Sequence, residues 1–401
     1  MNSATGLAIA PRENIHLTIV HAILQAGDSP VIDPSAINCA TQAVTTAGTI
    51  IQNYVSTVLN QADLSLPDVL PNLPEHQKNA RTHATNWRDT VQPQMISTNT
   101  DIVDFSNTFS TYFDPLAQLA TQLQSNPQDA QAIANFKTGL QQLQAIVTKK
   151  ETAAAAVVTS LSGFTDDLGA DARNFASDFT TAESTLAGKD GQIAALGKQI
   201  DAIHDAMNTD LTMIAAGSVT AVVGGLMIVV GALAEIPSGG ASTALIVGGI
   251  VVVGAGAGVA IAGGVDYSKQ TSDLGTAITQ QTTLQQQYAA TKQVNSTVQN
   301  LSSQASAALT AAGALLKGWQ TLGAQFVEFQ SALDRSQPDL GFFLMAQLNA
   351  AKKDWDDLGA YATKLLAFGQ LSTQTGSTNS VGQLQATHHL ASLQLALKKA
   401  A

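Results

Sequence analysis

The chain has 401 residues, 45% of them hydrophobic, and its 30 acidic against 19 basic side chains give a net charge of −11. With no basic stripe for phosphates to meet, that balance speaks against a nucleic-acid partner. The single cysteine, Cys39, excludes an intrachain disulfide. No basic region precedes an apolar run in Met1–Val20, so no cleavable signal peptide is expected and export would take another route.

In chain order, Asn14–Ala26 reads as a short amphipathic helix with Ile15, Ile19, Ala22 and Ile23 on one face. Asp28-Ser29-Pro30 and Asp33-Pro34 interrupt the chain and offer caps to Ile37–Leu59, whose stripe is Val44, Ile51, Val55 and Val58. Pro67, Pro71 and Pro74 predict a stiff connection. Glu75–Phe113 is helical again, and Pro93 within it predicts a kink. Asp114-Pro115 and Asn126-Pro127 bound a short segment, Leu116–Leu123.

Between Pro127 and Pro338 the sole proline is Pro237. Before it, Phe136, Leu140, Leu143, Val147, Leu161, Phe164, Leu168, Phe175, Met207 and Leu211 recur at helical spacing, with a break expected at Gly188–Gly191. After it, Leu274, Ile278, Val298, Leu301, Leu309, Leu316, Trp319, Leu322, Phe326 and Phe329 lead away. Both flanks read as helices of roughly 60–80 residues, on the order of 100 Å each. They must lie antiparallel, as a rod. Leu340–Phe368 forms a last helix, and a polar tail expected to be mobile begins at Gly376.

The rod would carry at one tip the stretch Leu211–Val265, whose one charge is Glu235. Its apolar arms are Leu211–Ala234 and Ala241–Val265, each long enough to cross the ~30 Å hydrocarbon layer as a helix. The residues expected to insert are Leu211, Ile214, Val219, Val222, Val223, Leu226, Met227, Ile228, Val229, Val230 and Leu233 in the first arm. In the second they are Leu245, Ile246, Val247, Ile250, Val251, Val252, Val253, Val259, Ile261 and Val265. Glu235, Ile236, Pro237, Ser238, Gly239 and Gly240 read as the turn between the arms, with no regular element running through. Ala221/Gly225, Ala244/Gly248, Gly254/Gly258 and Ala260/Gly264 are small residues four apart, suited to close helix packing in lipid. Acidic and neutral flanks, with Lys269 the nearest cation, are unlike those of an ordinary spanning protein. A soluble protein that conceals its hairpin until it meets a bilayer fits better.

In Gln77–Phe113, the features Gln77, Ala80-Arg81, Ala84, Trp87, Pro93-Gln94, Ile96-Ser97-Thr98-Asn99, Ile102, Phe105 and Phe109 carry a family resemblance. The run resembles the tail-bundle signature of the haemolysin BL and non-haemolytic enterotoxin components, among the cytolysin A-type α-helical pore-forming toxins. The resemblance implies an all-α, elongated bundle of about five long helices with a hydrophobic hairpin head, a β-tongue or a short helical pair in the soluble form. On that division, residues 1–205 and 270–370 form the tail, 206–269 the head, and 371–401 a C-terminal tail. It further implies a secreted chain whose partners are a target-cell membrane and copies of itself or related subunits, with no cofactor and no metal.

Other constellations carry less. Ile250–Gly258 (IVVVGAGAG) imitates a dinucleotide-binding turn, but Val259 stands where its third glycine belongs. His76 and His83 share a helix face and read as surface histidines, with pH sensing the alternative. Asp354, Asp356 and Asp357 read as a solvated face, and Trp87, Trp319 and Trp355 as bundle residues. Asn295 and Asn300 match glycosylation sequons by pattern alone. No catalytic set emerges, so the chain reads as a pore-forming toxin or toxin subunit, not an enzyme. A chaperone-dependent secretion translocator and a membrane-held helical scaffold are the alternatives.

Overall fold

The computed structural model describes residues 32–61, 63, 70–186, 198, 201–202, 205, 226–230, 233–238, 241–246, 250–254, 283–334, 340–366 and 372–375. The expected helix Asn14–Ala26, the break at Gly188–Gly191 and the tail from Gly376 lie outside them.

Helix α1 (Ser35–Asn60) opens behind Asp33, whose carboxylate accepts the Ser35 N–H at 2.8 Å and the Ser35 hydroxyl at 2.9 Å. Helices α2 (Leu73–Asn86) and α3 (Gln92–Ser125) are joined by a π-helical turn, Trp87–Val91. There the Gln92 N–H reaches back to the Trp87 carbonyl. The irregularity expected at Pro93 takes this form. Pro93 has no N–H to give and its ring strikes a carbonyl four residues back, so the widened turn sets it in the first turn of α3.

Pro115 departs from the expected boundary, because α3 runs straight through it to Ser125. Phe109, Leu116, Ala120 and Leu123 are buried on both sides of it. Burying the large side chains at about 1.5–3 kcal/mol each outweighs the ~3 kcal/mol that an interior proline costs.

Helix α4 (Ala130–Leu186) has 57 residues, about 85 Å of helix, and is capped by Asp129, which accepts N–H groups of Gln131 and Ala132 at 3.1 and 3.0 Å. Helix α5 (Thr283–Leu333) runs antiparallel beside it. Lys137 pairs with Asp334, Gln330 donates to Gln144 at 2.9 Å, Gly323 faces Val147 and Glu151, and Lys292 lies 5.2 Å over the Phe179 ring. As numbers rise on one helix they fall on the other. The buried face of α5 includes Ala305, Ala308, Ala312 and Leu315, while Leu309 and Leu316, expected on that stripe, are only half-buried. The small residues admit a close approach: a Cβ on Gly318 would lie 2.9 Å from Ile37.

Helix α6 (Leu340–Leu365) packs antiparallel on α3. With α2, the π turn and α3 counted as one interrupted rod, the described helices make five, the expected number. Phe105 sits where α3, α5 and α6 meet, 4.5 Å from the Trp355 ring, 5.7 Å from Trp319 and 6.5 Å from Phe326. Trp87, Trp319 and Trp355 are all core residues. The Trp87 ring lies 4.8 Å from that of Phe164, tilted by 40°, and its N–H donates to Gln52 at 3.0 Å. The motif of Gln77–Phe109 thereby acquires a physical meaning: Gln77, Ala80, Ala84, Trp87, Thr98, Asn99, Ile102, Phe105 and Phe109 are its buried face.

The seam between α2 and α4, close to the end of α4, is polar. His83 Nδ1 lies 3.0 Å from both oxygens of Asp171 and its Nε2 lies 3.8 Å from Asp167, while one heptad away His76 Nδ1 lies 2.7 Å from Asp178. Asp171 is wholly buried and Asp178 nearly so. A carboxylate can only accept, so each Nδ1 carries the donated hydrogen. The expectation of surface histidines is therefore corrected: both are half-buried rungs whose partners lie 102 and 88 residues away. Burial pushes the Asp178 carboxyl above its ordinary value, and the His76 hydrogen bond and charge pull it only part of the way back.

Two predictions follow from this packing. Gly341 begins α6 against the backbone of α3, where a Cβ would lie 2.5 Å from the Ala120 carbonyl oxygen and closer still to the Gln124 nitrogen. At Gly359 the obstacle is instead the Ser106 hydroxyl, a side chain that can turn. Gly341→Ala is expected to destabilise by about 3 kcal/mol and Gly359→Ala by about 1, read from urea unfolding midpoints. Equal midpoints for the two variants would contradict this account. The second concerns Asp178. A carboxyl raised in the fold contributes stability that is full below its unfolded value of 3.8 and is lost as pH rises through the folded value. Relative to Asp178→Asn, the native chain should lose stability as pH climbs from about 4, then level off. A difference that stays flat with pH would refute the assignment.

Candidate membrane-inserting head

Between α4 and α5 the described residues from Leu226 to Gly254 are strands. β1 (Leu226–Val230) and β4 (Ile250–Gly254) pair antiparallel from Leu226↔Gly254 to Val230↔Ile250. β2 (Leu233–Ser238) and β3 (Ala241–Ile246) pair antiparallel from Leu233↔Ile246 to Ser238↔Ala241. These nested ladders make one long hairpin, the β-tongue among the two head forms that the resemblance implies. Two residues, 231–232, separate β1 from β2, while three, 247–249, separate β3 from β4, so the register shifts by one along the tongue.

The turn is placed differently from expectation. Glu235, Ile236, Pro237 and Ser238 belong to β2, whose pairing with β3 runs as far as Ser238↔Ala241. The ribbon of β2 and β3 has two strands, so each is an edge that leaves one side free of ladder bonds. A proline is tolerated there, since its missing N–H can face away from the partner.

Of the residues expected to insert, Leu226, Met227, Ile228, Val229 and Val230 form β1, Leu233 starts β2, Leu245 and Ile246 end β3, and Ile250, Val251, Val252 and Val253 make up most of β4. Ala244 and Gly254 also lie in strands. Leu211, Ile214, Val219, Ala221, Val222, Val223, Gly225, Gly239, Gly240, Val247, Gly248, Gly258, Val259, Ala260, Ile261, Gly264 and Val265 lie outside the described residues. Among the described residues no helix is long and apolar enough to cross a membrane.

The tongue is seated on the tail. The backbones of β1 and β4 come within 8 Å of α1, and that of β2 within 8 Å of α5. A fifth strand, β5 (Ser372–Thr375), lies parallel to β1, giving the sheet order β4-β1-β5. Sequence reasoning missed it, because four polar residues in a polar tail carry no strand pattern. Among the described residues no group of three His, Cys, Asp or Glu side chains could hold a metal ion.

Comparison with known proteins agrees with this architecture. Residues 31–210 match the family model of the Bacillus haemolytic enterotoxin (HBL). Soluble SmhB of the tripartite α-pore-forming toxin of Serratia marcescens is 19% identical with a TM-score of 0.69, over 89% of this chain and 99% of that one. The HblL1 toxin component of Bacillus cereus is 21% identical with a TM-score of 0.67, over 85% and 98%. Soluble AhlB of the tripartite α-pore-forming toxin of Aeromonas hydrophila is 22% identical with a TM-score of 0.66, over 87% and 99%. The family that the motif of Gln77–Phe109 resembles is the one whose model matches residues 31–210, and the chain shares the fold of these toxin components.

Proposed function

We propose that the chain is one subunit of a multicomponent α-helical pore-forming toxin, secreted in soluble form and active at a target-cell membrane. The observation that carries this reading is the combination of a nearly charge-free segment, Leu211–Val265, with its pairing as a tongue laid against α1 and α5. In water the tongue's ladders pair the inward backbone groups of its strands, and the outward groups of the β2–β3 ribbon are left to water. In a bilayer, where a lipid-exposed open sheet edge cannot persist, the two arms would re-form as helices that satisfy their own hydrogen bonds. Each arm has the length for that crossing. The small residues Ala221/Gly225, Ala244/Gly248, Gly254/Gly258 and Ala260/Gly264 would then let helices approach closely.

Residues 206–269 are on this reading the inserting head and residues 1–205 and 270–370 the tail that carries it. The partners would be related subunits, as in the tripartite toxins to which SmhB and AhlB belong. The work is a change of packing and not catalysis, with no cofactor and no metal required.

A charge at the centre of either arm tests the proposal, since it costs about 2.5–3.5 kcal/mol on insertion scales. Val229→Asp and Val252→Asp are each expected to abolish vesicle insertion, and dye release in the presence of companion subunits. The cooperative unfolding of the tail should stay unchanged. Undiminished insertion by both variants would overturn the role of the head.

A further inference from the structure

Of the two histidines in the seam between α2 and α4, His83 is the one set between two carboxylates. Its Nδ1 lies 3.0 Å from both oxygens of Asp171, and its Nε2 lies 3.8 Å from Asp167, one helical turn earlier on α4. The Asp171 side chain is wholly buried, that of Asp167 is 38% exposed, and the imidazole between them is 23% exposed. A spacing of four residues puts both aspartates on one face of α4, and the ring meets both. A neutral imidazole has one N–H and one lone pair. With the hydrogen on Nδ1 and donated to Asp171, the lone pair of Nε2 looks toward a second carboxylate, and two electron-rich groups face each other. A second proton removes the conflict. The imidazolium donates at both nitrogens, so each ring N–H then has a carboxylate to face, and a positive charge lies beside the buried Asp171.

The other charged groups around the seam are engaged elsewhere or face water. Arg81 pairs with Asp63 and Arg88 with Asp89, while Lys78 and Arg173 are exposed, Arg173 lying along α4 beside Gly169. Glu75, Asp166 and Glu183 are exposed, and Asp178 faces His76. Helix α1, which packs on α2, has no charged residue from Ser35 to Asn60. Helix α5, which packs on α4, has none between Lys292 and Lys317, and Lys292 is held by Asp201 at 2.8 Å. Among these groups His83 is the one that stands between the two aspartates.

We propose that His83, Asp167 and Asp171 form a proton-operated clasp, which fastens α2 to α4 in mildly acidic medium and slackens as pH rises past the imidazole range. Protonation of the ring supplies the second donor, so the proton binds the folded seam in preference to the open one. Stability from the clasp is therefore present in acid and lost toward neutral and alkaline pH. Helix α2 also packs on α1, which the backbones of β1 and β4 approach, and α4 is the helix from which the chain passes to the tongue. Acid thus secures the part of the tail that borders the head, whatever the head then does.

Urea unfolding of the full-length chain at about pH 5.5 and about pH 7.5 tests the clasp, with the native, His83→Gln and Asp167→Asn proteins compared at each. Glutamine keeps a donor for Asp171 and cannot take the proton. The folding constant of the native chain relative to His83→Gln is expected to rise at least about threefold from the higher pH to the lower. Asp167→Asn removes the charge at the rim and leaves the contact with Asp171 in place. It is expected to cost little at the higher pH, where its amide can donate to the bare Nε2, and to remove most of the acid gain at the lower. A native advantage over His83→Gln that is equal at the two pH values overturns the clasp. So does an Asp167→Asn chain as stable as the native one in acid. Asp167 stands at the rim of the seam, so that variant decides the case even where His83→Gln fails to fold. No membrane enters the experiment, and its result is separate from that of the charged head variants.

Discussion

A segment from Leu211 to Val265 with one charge cannot lie open to water, and a rod a few helices thick has no interior in which to hide it. Each large apolar side chain left exposed forfeits about 1.5–3 kcal/mol, and every backbone amide that is covered must find a partner. In the described strands the pairings β1–β4 and β2–β3 supply part of those partners, and the backbones of β1, β4 and β2 come close to α1 and α5. The tail's design follows from having to provide that seat. α4 and α5 run long and antiparallel so that the chain returns to where it left, and α1 lies along α5, with Ile37 set against Gly318.

The helices were legible because their apolar residues recur at three and four over long spans, and burial follows that spacing at Phe136, Leu140, Leu143 and Val147. Pro93 was legible as a local event, although a π turn and not a simple bend resolves it. Pro115 was not, since nothing local reveals that the surrounding stripe is buried deeply enough to carry a proline within a helix. The histidines failed for a different reason. His76 and His83 look solvent-facing until Asp178 and Asp171 are brought beside them by the fold.

In the head, the apolar content and the return of the chain could be read, and the conformation could not. A run such as LMIVVGALA satisfies a helix and a strand equally, so context decides, and here the context is a partner strand. Proline, serine and two glycines in succession exaggerated the turn, because an edge ribbon accepts Pro237 that a central strand would reject. β5 lay beyond reach altogether. Its attachment is made by backbone, which every sequence possesses.

The steady opposition of α4 and α5 also bears on the order in which the chain assembles. Where Phe179 meets Lys292, the enclosed loop is far shorter than where Lys137 meets Asp334, whose partners are 197 residues apart. Loop-closure entropy grows with length, and a contact already made shortens the loop that the next one must close. The least costly route is a zipper that starts beside the head and travels outward. On that route the rings of Phe136 and Phe329, 6.3 Å apart near the far end, come together late. The hazardous apolar segment is thus drawn in early, when the nascent chain has the least else to hold it.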